Sequence, residues 1–300
     1  MSYSNFYYTG LLNLTYIFLL TSSFFNTRLF RNPKIIAKTL IINGLVLSFL
    51  AIIERLIYNS RVSTTFFNPN YLAIYLVFSL VILFFYAPKK KSLLIVIIFI
   101  AILLTESDAV IVGIVFPVLI IILNKFKLKI TYRFIFPVIF ISFTIGIIYG
   151  LSQSLLSNIE YFDHAASGVL KSSDSIRFDI WSIAISLFNK NPLIGIGYNQ
   201  FQPQIAHTGF QNFMFNRREE GFVTHNDFVR ILVELGLVGS LVFYIYIYKV
   251  INLSNKTQDI KMRMTYLSLV LILLFFSFTH NNINSLLFWM TLAFPIYVKI

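Results

Sequence analysis

Thr224-His225-Asn226-Asp227-Phe228-Val229-Arg230-Ile231-Leu232-Val233-Glu234-Leu235-Gly236-Leu237-Val238-Gly239 passes from a polar stretch straight into an apolar run of membrane length. Upstream lies a polar insert of roughly residues 152–230, set into an otherwise apolar chain. The insert holds three of the four histidines, His164, His207 and His225, and one of the two tryptophans, Trp181. Thr224-x-x-Asp227 has the pattern of a capping box, with Asp in place of Glu. With Thr224 as N-cap, His225 and Asn226 fall in the first helical turn. Free N–H groups and the positive end of the helix dipole there would attract an anion such as diphosphate. The same field would keep the imidazole neutral, as a general base near neutral pH requires.

Hydrophobic residues make up 57% of the 300 and charged residues only 12%, about half the charge of an ordinary globular chain. Apolar runs fit nine bilayer-crossing helices: residues 6–25, 35–53, 71–87, 91–105, 107–124, 134–151, 231–249, 264–280 and 285–299. The fourth and fifth are split at Thr105-Glu106-Ser107-Asp108, because two acids are costly at mid-bilayer. The expected fold is all-α: a polytopic membrane bundle with a large, partly helical, outward-facing loop. Residues 1–151 would hold six spans, 152–230 the catalytic loop and 231–300 three further spans. Alternate connections gather 16 of the 24 basic residues and one of the 12 acids, Asp259, giving +15 on one face. The other face carries −3, and together they make the chain's +12. Basic loops stay cytoplasmic, so the insert and the N-terminus should lie outside and the C-terminus inside. The charge is a topology signal rather than a nucleic-acid footprint. Zero cysteines exclude disulfides and thiolate chemistry. No ligand-spaced histidines or carboxylates suggest a metal.

Ser175–Phe188 has helical period, with Arg177, Trp181, Ala184 and Phe188 on one face. Asn191-Pro192 should stop that helix, and Gly195-Ile196-Gly197 should turn tightly. Arg230 and Glu234, four apart, should pair. Gly236 and Ser240 form a small-xxx-small pair that should let the seventh span press on a neighbour. Arginine forks suit diphosphate, which makes Arg61, Arg177, Arg217 and Arg218 the candidate cations. His280-Asn281-Asn282 is a further candidate for the same chamber.

These pieces together resemble the O-antigen ligase and polymerase superfamily of bacterial envelopes, including Wzy-type polysaccharide polymerases. That family carries a His followed by Asn, Ser or Gln, nine residues, a Gly, two residues, and Gly, Thr or Tyr. Here the pattern reads His225-Asn226, nine residues, Gly236-Leu237-Val238-Gly239. Arg177 to Trp181, then NPLIGIGYNQF, then the His-Asn helix follow the family's order. RVSTTFFNPNYLA, which contains Arg61, resembles its Arg/Asn-Pro-Asn segment. Ser107-Asp108 stands where family members often carry Ser-Arg. The resemblance implies transfer of a glycan from undecaprenyl diphosphate to a hydroxyl acceptor at the outer face of a bacterial cell membrane. His225 would be the base; Arg61, Arg177, Arg217, Arg218 and Asn226 would bind substrate, with no metal or cofactor. A repeat-unit polymerase is the first reading and a ligase acting on lipid A core or another acceptor the second. A polysaccharide transporter or flippase ranks third. Implied partners are the lipid-linked donor, the glycan acceptor, the bilayer, a flippase and a chain-length regulator.

Overall fold

The computed structural model describes residues 12, 15–16, 18–19, 32–66, 68–86, 91–107, 114–115, 173–207, 223–256 and 259–297. All regular structure among them is helical. The expected span 134–151, most of 6–25 and 107–124, and the Arg217-Arg218 doublet lie outside the described residues. The described residues fall into two compact units.

One unit takes residues 32–107, 246–276 and 285–297. Helix α1, Pro33–Tyr58, begins where Asn32 Oδ1 accepts the Lys34 N–H at 3.0 Å and ends at Asn59 in the left-handed conformation. Pro at the first helical position and Asn at a left-handed C-cap are favoured terminators. Helix α2, Pro69–Tyr86, has the same start, Asn68 followed by Pro69. Helix α3 is Ser92–Leu104. The three pack on one another. A Cβ on Gly44 of α1 would lie 2.4 Å from Ser79 Cβ of α2, so only glycine allows this approach. There Ser79 Oγ donates across the helices to Leu40 O at 3.0 Å. Such close contact through small residues is how helices associate in lipid.

The chain leaves α3 at Thr105, and Glu106 has a positive φ of 51°. The helix therefore breaks where the paired acids predicted it. Arg61 ties this break to the α1–α2 connection: its Nε donates to Thr105 O at 2.6 Å and its Nη2 to Asn70 Oδ1 at 2.7 Å. Glu54 accepts the Ser63 and Thr64 N–H groups, and Arg55 pairs with Glu106 at 3.0 Å.

The other unit includes the described residues of 173–245 and 277–284. Helix α4, Ser173–Lys190, and helix α5, Phe201–His207, bury Ile180, Ala184, Leu187, Phe201 and Ile205 against Val229 and Val233. The last two belong to α6, Asp227–Asn255, a 29-residue helix interrupted at Gly236, where φ is 65° and ψ −169°. Helices α7, Ile260–Phe276, and α8, Leu286–Tyr297, complete the order.

The interruption corrects the small-xxx-small expectation. Gly236 does not offer a flat helix face; it breaks the helix, and what presses on it is the loop after α4 rather than a neighbouring helix. An unbroken helix would bond Leu237 N–H to Val233 O and Val238 N–H to Glu234 O. The break frees all four groups, and the loop takes each of them. Ile196 N–H donates to Val233 O at 3.0 Å and Gly197 N–H to Glu234 O at 2.9 Å. Leu237 N–H donates to Pro192 O at 2.9 Å and Val238 N–H to Leu193 O at 3.1 Å. A Cβ on Gly195 would meet Glu234 O at 2.5 Å, and one on Gly236 would meet Leu193 O at 2.4 Å.

Side chains reinforce the joint. The expected Arg230–Glu234 pair is present at 3.1 Å, with both groups buried. Its carboxylate also accepts Asn199 N–H at 2.9 Å and Phe201 N–H at 3.2 Å, capping α5. Arg230 reaches Asn199 Oδ1 at 2.9 Å and lies over the Tyr198 ring.

Among the described residues, three helices are long and apolar enough to cross a membrane: Lys34–Tyr58, Pro69–Tyr86 and Asp227–Ser254. Their surfaces agree with this. Helix α1 exposes Ile42, Val46, Phe49 and Ile53 in one stripe, an arrangement lipid tolerates and water does not. In α6 the large exposed apolar residues begin only at Leu237 and continue through Val238, Leu241 and Val242. From Leu237 to Ser254 the rise is about 27 Å at 1.5 Å per residue, close to the hydrocarbon core of about 30 Å. The lipid-facing part of this span thus starts at the break, six residues later than the expected 231.

Gly236→Ala and Gly195→Ala should each lower stability by about 1–3 kcal/mol through backbone strain and overpacking, read by denaturant unfolding in detergent. Leu241→Ala, on the lipid-facing surface, should stay within about 0.5 kcal/mol. Glu234→Ala strands a buried guanidinium and should cost about 3–5 kcal/mol, enough to lower the yield of folded protein in the membrane fraction.

Candidate active site

Asn226 organises the start of α6. Its Oδ1 accepts Phe228 N–H at 3.0 Å and Val229 N–H at 3.1 Å, which makes it the N-cap. The capping-box expectation is corrected accordingly: Thr224 is not the cap, and His225 stands before the helix rather than in its first turn. The anion cradle expected there is also filled. Besides the two N–H groups held by Asn226, Asp227 N–H donates to Ser277 O at 2.8 Å and Arg230 N–H to Asn226 O at 3.1 Å. No N–H of that first turn remains for a diphosphate.

Asp227 is buried and faces the segment before α8, accepting Asn282 N–H at 2.6 Å and Ile283 N–H at 3.0 Å. The Thr224 hydroxyl lies 2.9 Å from Asn281 Oδ1 and 3.0 Å from Asn226 O. The His280-Asn281-Asn282 segment therefore does meet the His225 loop, through Asn281 and the Asn282 backbone. His280 itself has its Nδ1 2.8 Å from the Thr279 hydroxyl. From the other side, Trp181 Nε1 donates to Thr224 O at 2.7 Å. The Arg177–Trp181 face of α4 is thereby locked to the residue preceding His225.

His225 is held between these anchored neighbours with φ +50°. A left-handed conformation costs a non-glycine residue about 1–2 kcal/mol, and such strain gathers at functional sites. The ring is half-buried, and among the described residues it makes no hydrogen bond. Burial lowers its proton affinity below the ordinary 6.5, and the Arg177 guanidinium lowers it further. The sequence predicted a neutral imidazole, but the cause differs. Desolvation and a neighbouring cation replace the helix dipole.

Of the candidate substrate-binding residues, Arg177 is brought beside His225. Asn226 is adjacent in sequence, with its carbonyl oxygen occupied by the cap. Arg61 belongs to the other unit, exposed, with two of its nitrogens bonded as described above. Arg217 and Arg218 lie outside the described residues. Sequence reasoning missed the roles of Trp181, Asp227 and Glu234 as donors and acceptors to loop backbone. The one available signal was the glycine pair Gly195 and Gly197, whose positive φ of 73° and 102° marks the loop that enters α6.

The arrangement is an uncharged imidazole next to a cation on a braced loop, suited to taking a proton while an anion is held nearby. No curated protein matches the chain. The family model described as O-antigen ligase matches residues 93–244, just over half of the 300, and includes α4, the inserted loop, His225 and the break at Gly236. This chain is a membrane protein of the O-antigen ligase family, a group of glycosyl-transferring enzymes that process lipid-linked glycans at the membrane.

Proposed function

We propose that the protein polymerises oligosaccharide repeat units carried on undecaprenyl diphosphate, at the outer face of a bacterial cell membrane. His225 takes the proton of the acceptor sugar hydroxyl as its oxygen attacks the anomeric carbon of the donor. The bond from that carbon to the diphosphate oxygen breaks, and the polyprenyl diphosphate leaves with the electron pair. Diphosphate is a good enough leaving group to depart without an acid. Arg177 neutralises its charge, with Arg61, Arg217 and Arg218 as the further cations and Asn226 holding His225 in place beside the substrate. Attack from the face opposite the leaving group inverts the anomeric centre. Neither metal nor cofactor takes part.

The observation that carries this reading is the condition of His225: half-buried, strained, unengaged among the described residues and next to Arg177. Around it, Asn226 Oδ1, Asp227 Oδ2 and Trp181 Nε1 are each engaged with backbone groups. The family description favours a second reading, a ligase that moves a finished glycan to lipid A core or another acceptor. Chemistry and residues are the same, and only the acceptor differs. A ladder of products growing by one repeat unit marks the polymerase; a single transfer marks the ligase.

His225→Ala should reduce turnover by about 10²–10⁴-fold, the usual contribution of a general base. Lipid-linked repeat units should accumulate while the protein still reaches the membrane. Undiminished polymer length in that variant would remove the base assignment. Because the folded histidine releases its proton more readily than the ordinary 6.5, activity should persist at pH 6.5 and fall only at lower pH, as the base becomes protonated. Arg177→Gln should move that acid limb up toward 6.5 and lower kcat. A limb that stays put would make Arg177 a packing residue only.

A further inference from the structure

The unit built around α1 and α2 contains a cavity of about 400 Å³ that includes none of the candidate catalytic residues. That size is within the usual range of about 300–1,000 Å³ for small-molecule sites. Its walls come from α1, α2, α7 and α8, with Ala37, Leu40, Phe78, Ile82, Leu269 and Phe294 among them. Two features set it apart from a simple packing defect. Tyr266 lines it, is 3% exposed, and has a hydroxyl without a hydrogen-bond partner among the described residues. A buried O–H left unpaired is costly, and a ligand oxygen would relieve it. The second feature is charge. The cavity is lined by the first half of α1 and the first half of α7, and those helix starts carry Lys34, Lys38, Lys261 and Arg263. Arg263 Nε is also buried without a partner among the described residues. The acid at this end, Asp259, is engaged at the start of α7, accepting Lys261 N–H at 2.8 Å and Met262 N–H at 3.2 Å.

We infer that this cavity binds one acyl chain of an anionic phospholipid, with an ester oxygen accepting from Tyr266 and the headgroup set against the basic helix starts. Mostly apolar walls match a hydrocarbon tail, the Tyr266 hydroxyl left unpaired among the described residues matches a single carbonyl, and the cations match a phosphate. Arg61 sits at the opposite end of the α1–α2 hairpin. A lipid held by the Lys34–Lys38 end is therefore not the diphosphate donor, a distinction that rests on the proposed role of Arg61. The site gives the protein a structural lipid at the Lys34–Lys38 end of α1.

The test uses the full chain in phosphatidylcholine vesicles doped with phosphatidylglycerol bearing a photoactivatable acyl chain. Label should appear on peptides of α1, α2, α7 and α8 and be displaced by unlabelled phosphatidylglycerol. Leu269→Trp, which fills the cavity, should abolish it. Tyr266→Phe, which keeps the cavity's shape, should weaken labelling about five-fold, the worth of one hydrogen bond. Equal labelling by a phosphatidylcholine probe, or labelling indifferent to both substitutions, overturns the site. Preferential labelling by a photoactivatable polyprenyl phosphate overturns the phospholipid assignment while leaving the His225 chemistry to its own assays.

Discussion

The structure around the candidate site depends on a helix broken at Gly236 and mended by another part of the chain. An interrupted helix in or near lipid leaves backbone groups that water cannot satisfy, and each costs several kcal/mol. Here the loop after α4 supplies two donors and two acceptors in register with the four freed groups. The same contact fixes α4 and α5 against the upper part of α6 through Glu234 and the Ile180–Val233 core. Asn226 and Trp181 then hold the ends of the His225 turn. The position of the imidazole is thus set by backbone hydrogen bonds distributed over three segments rather than by its own side-chain contacts.

This explains how a strained histidine can be kept without a hydrogen bond from its ring to any of the described residues. Its neighbours on both sides carry the anchoring: Thr224 through its carbonyl and hydroxyl, Asn226 through the cap. Half-burial of the ring removes enough water to favour the uncharged form. The adjoining Arg177 acts in the same direction, because two cations close together repel. Under the proposed mechanism, the group that meets the diphosphate also helps to keep the base uncharged.

Part of the fold was legible because membrane spans are written in long apolar runs. The α3 break at Glu106, the α4 helix ending at Asn191, the turn at Gly195 and the Arg230–Glu234 pair all follow from local rules. What was not legible depends on contacts between distant segments. The pattern Thr224-x-x-Asp227 looked like a capping box, but Asn226 is the better cap once Ser277 and Asn282 claim the two ends of Asp227. Gly236 and Ser240 looked like a helix-packing pair. Only the approach of Pro192 and Leu193 shows why glycine is needed there, and that approach is invisible along a single helix. The spacing from His225 to Gly236 therefore joins a strained turn before α6 to the break within it.

His225 is uncharged at neutral pH because it is partly desolvated and lies in the field of Arg177. Nuclear magnetic resonance of histidine-labelled protein in nanodiscs, with His225 assigned by substitution, measures this directly. The midpoint should lie below 6.5 and rise when Arg177 becomes glutamine. A midpoint at or above 6.5, unmoved by that substitution, would contradict it.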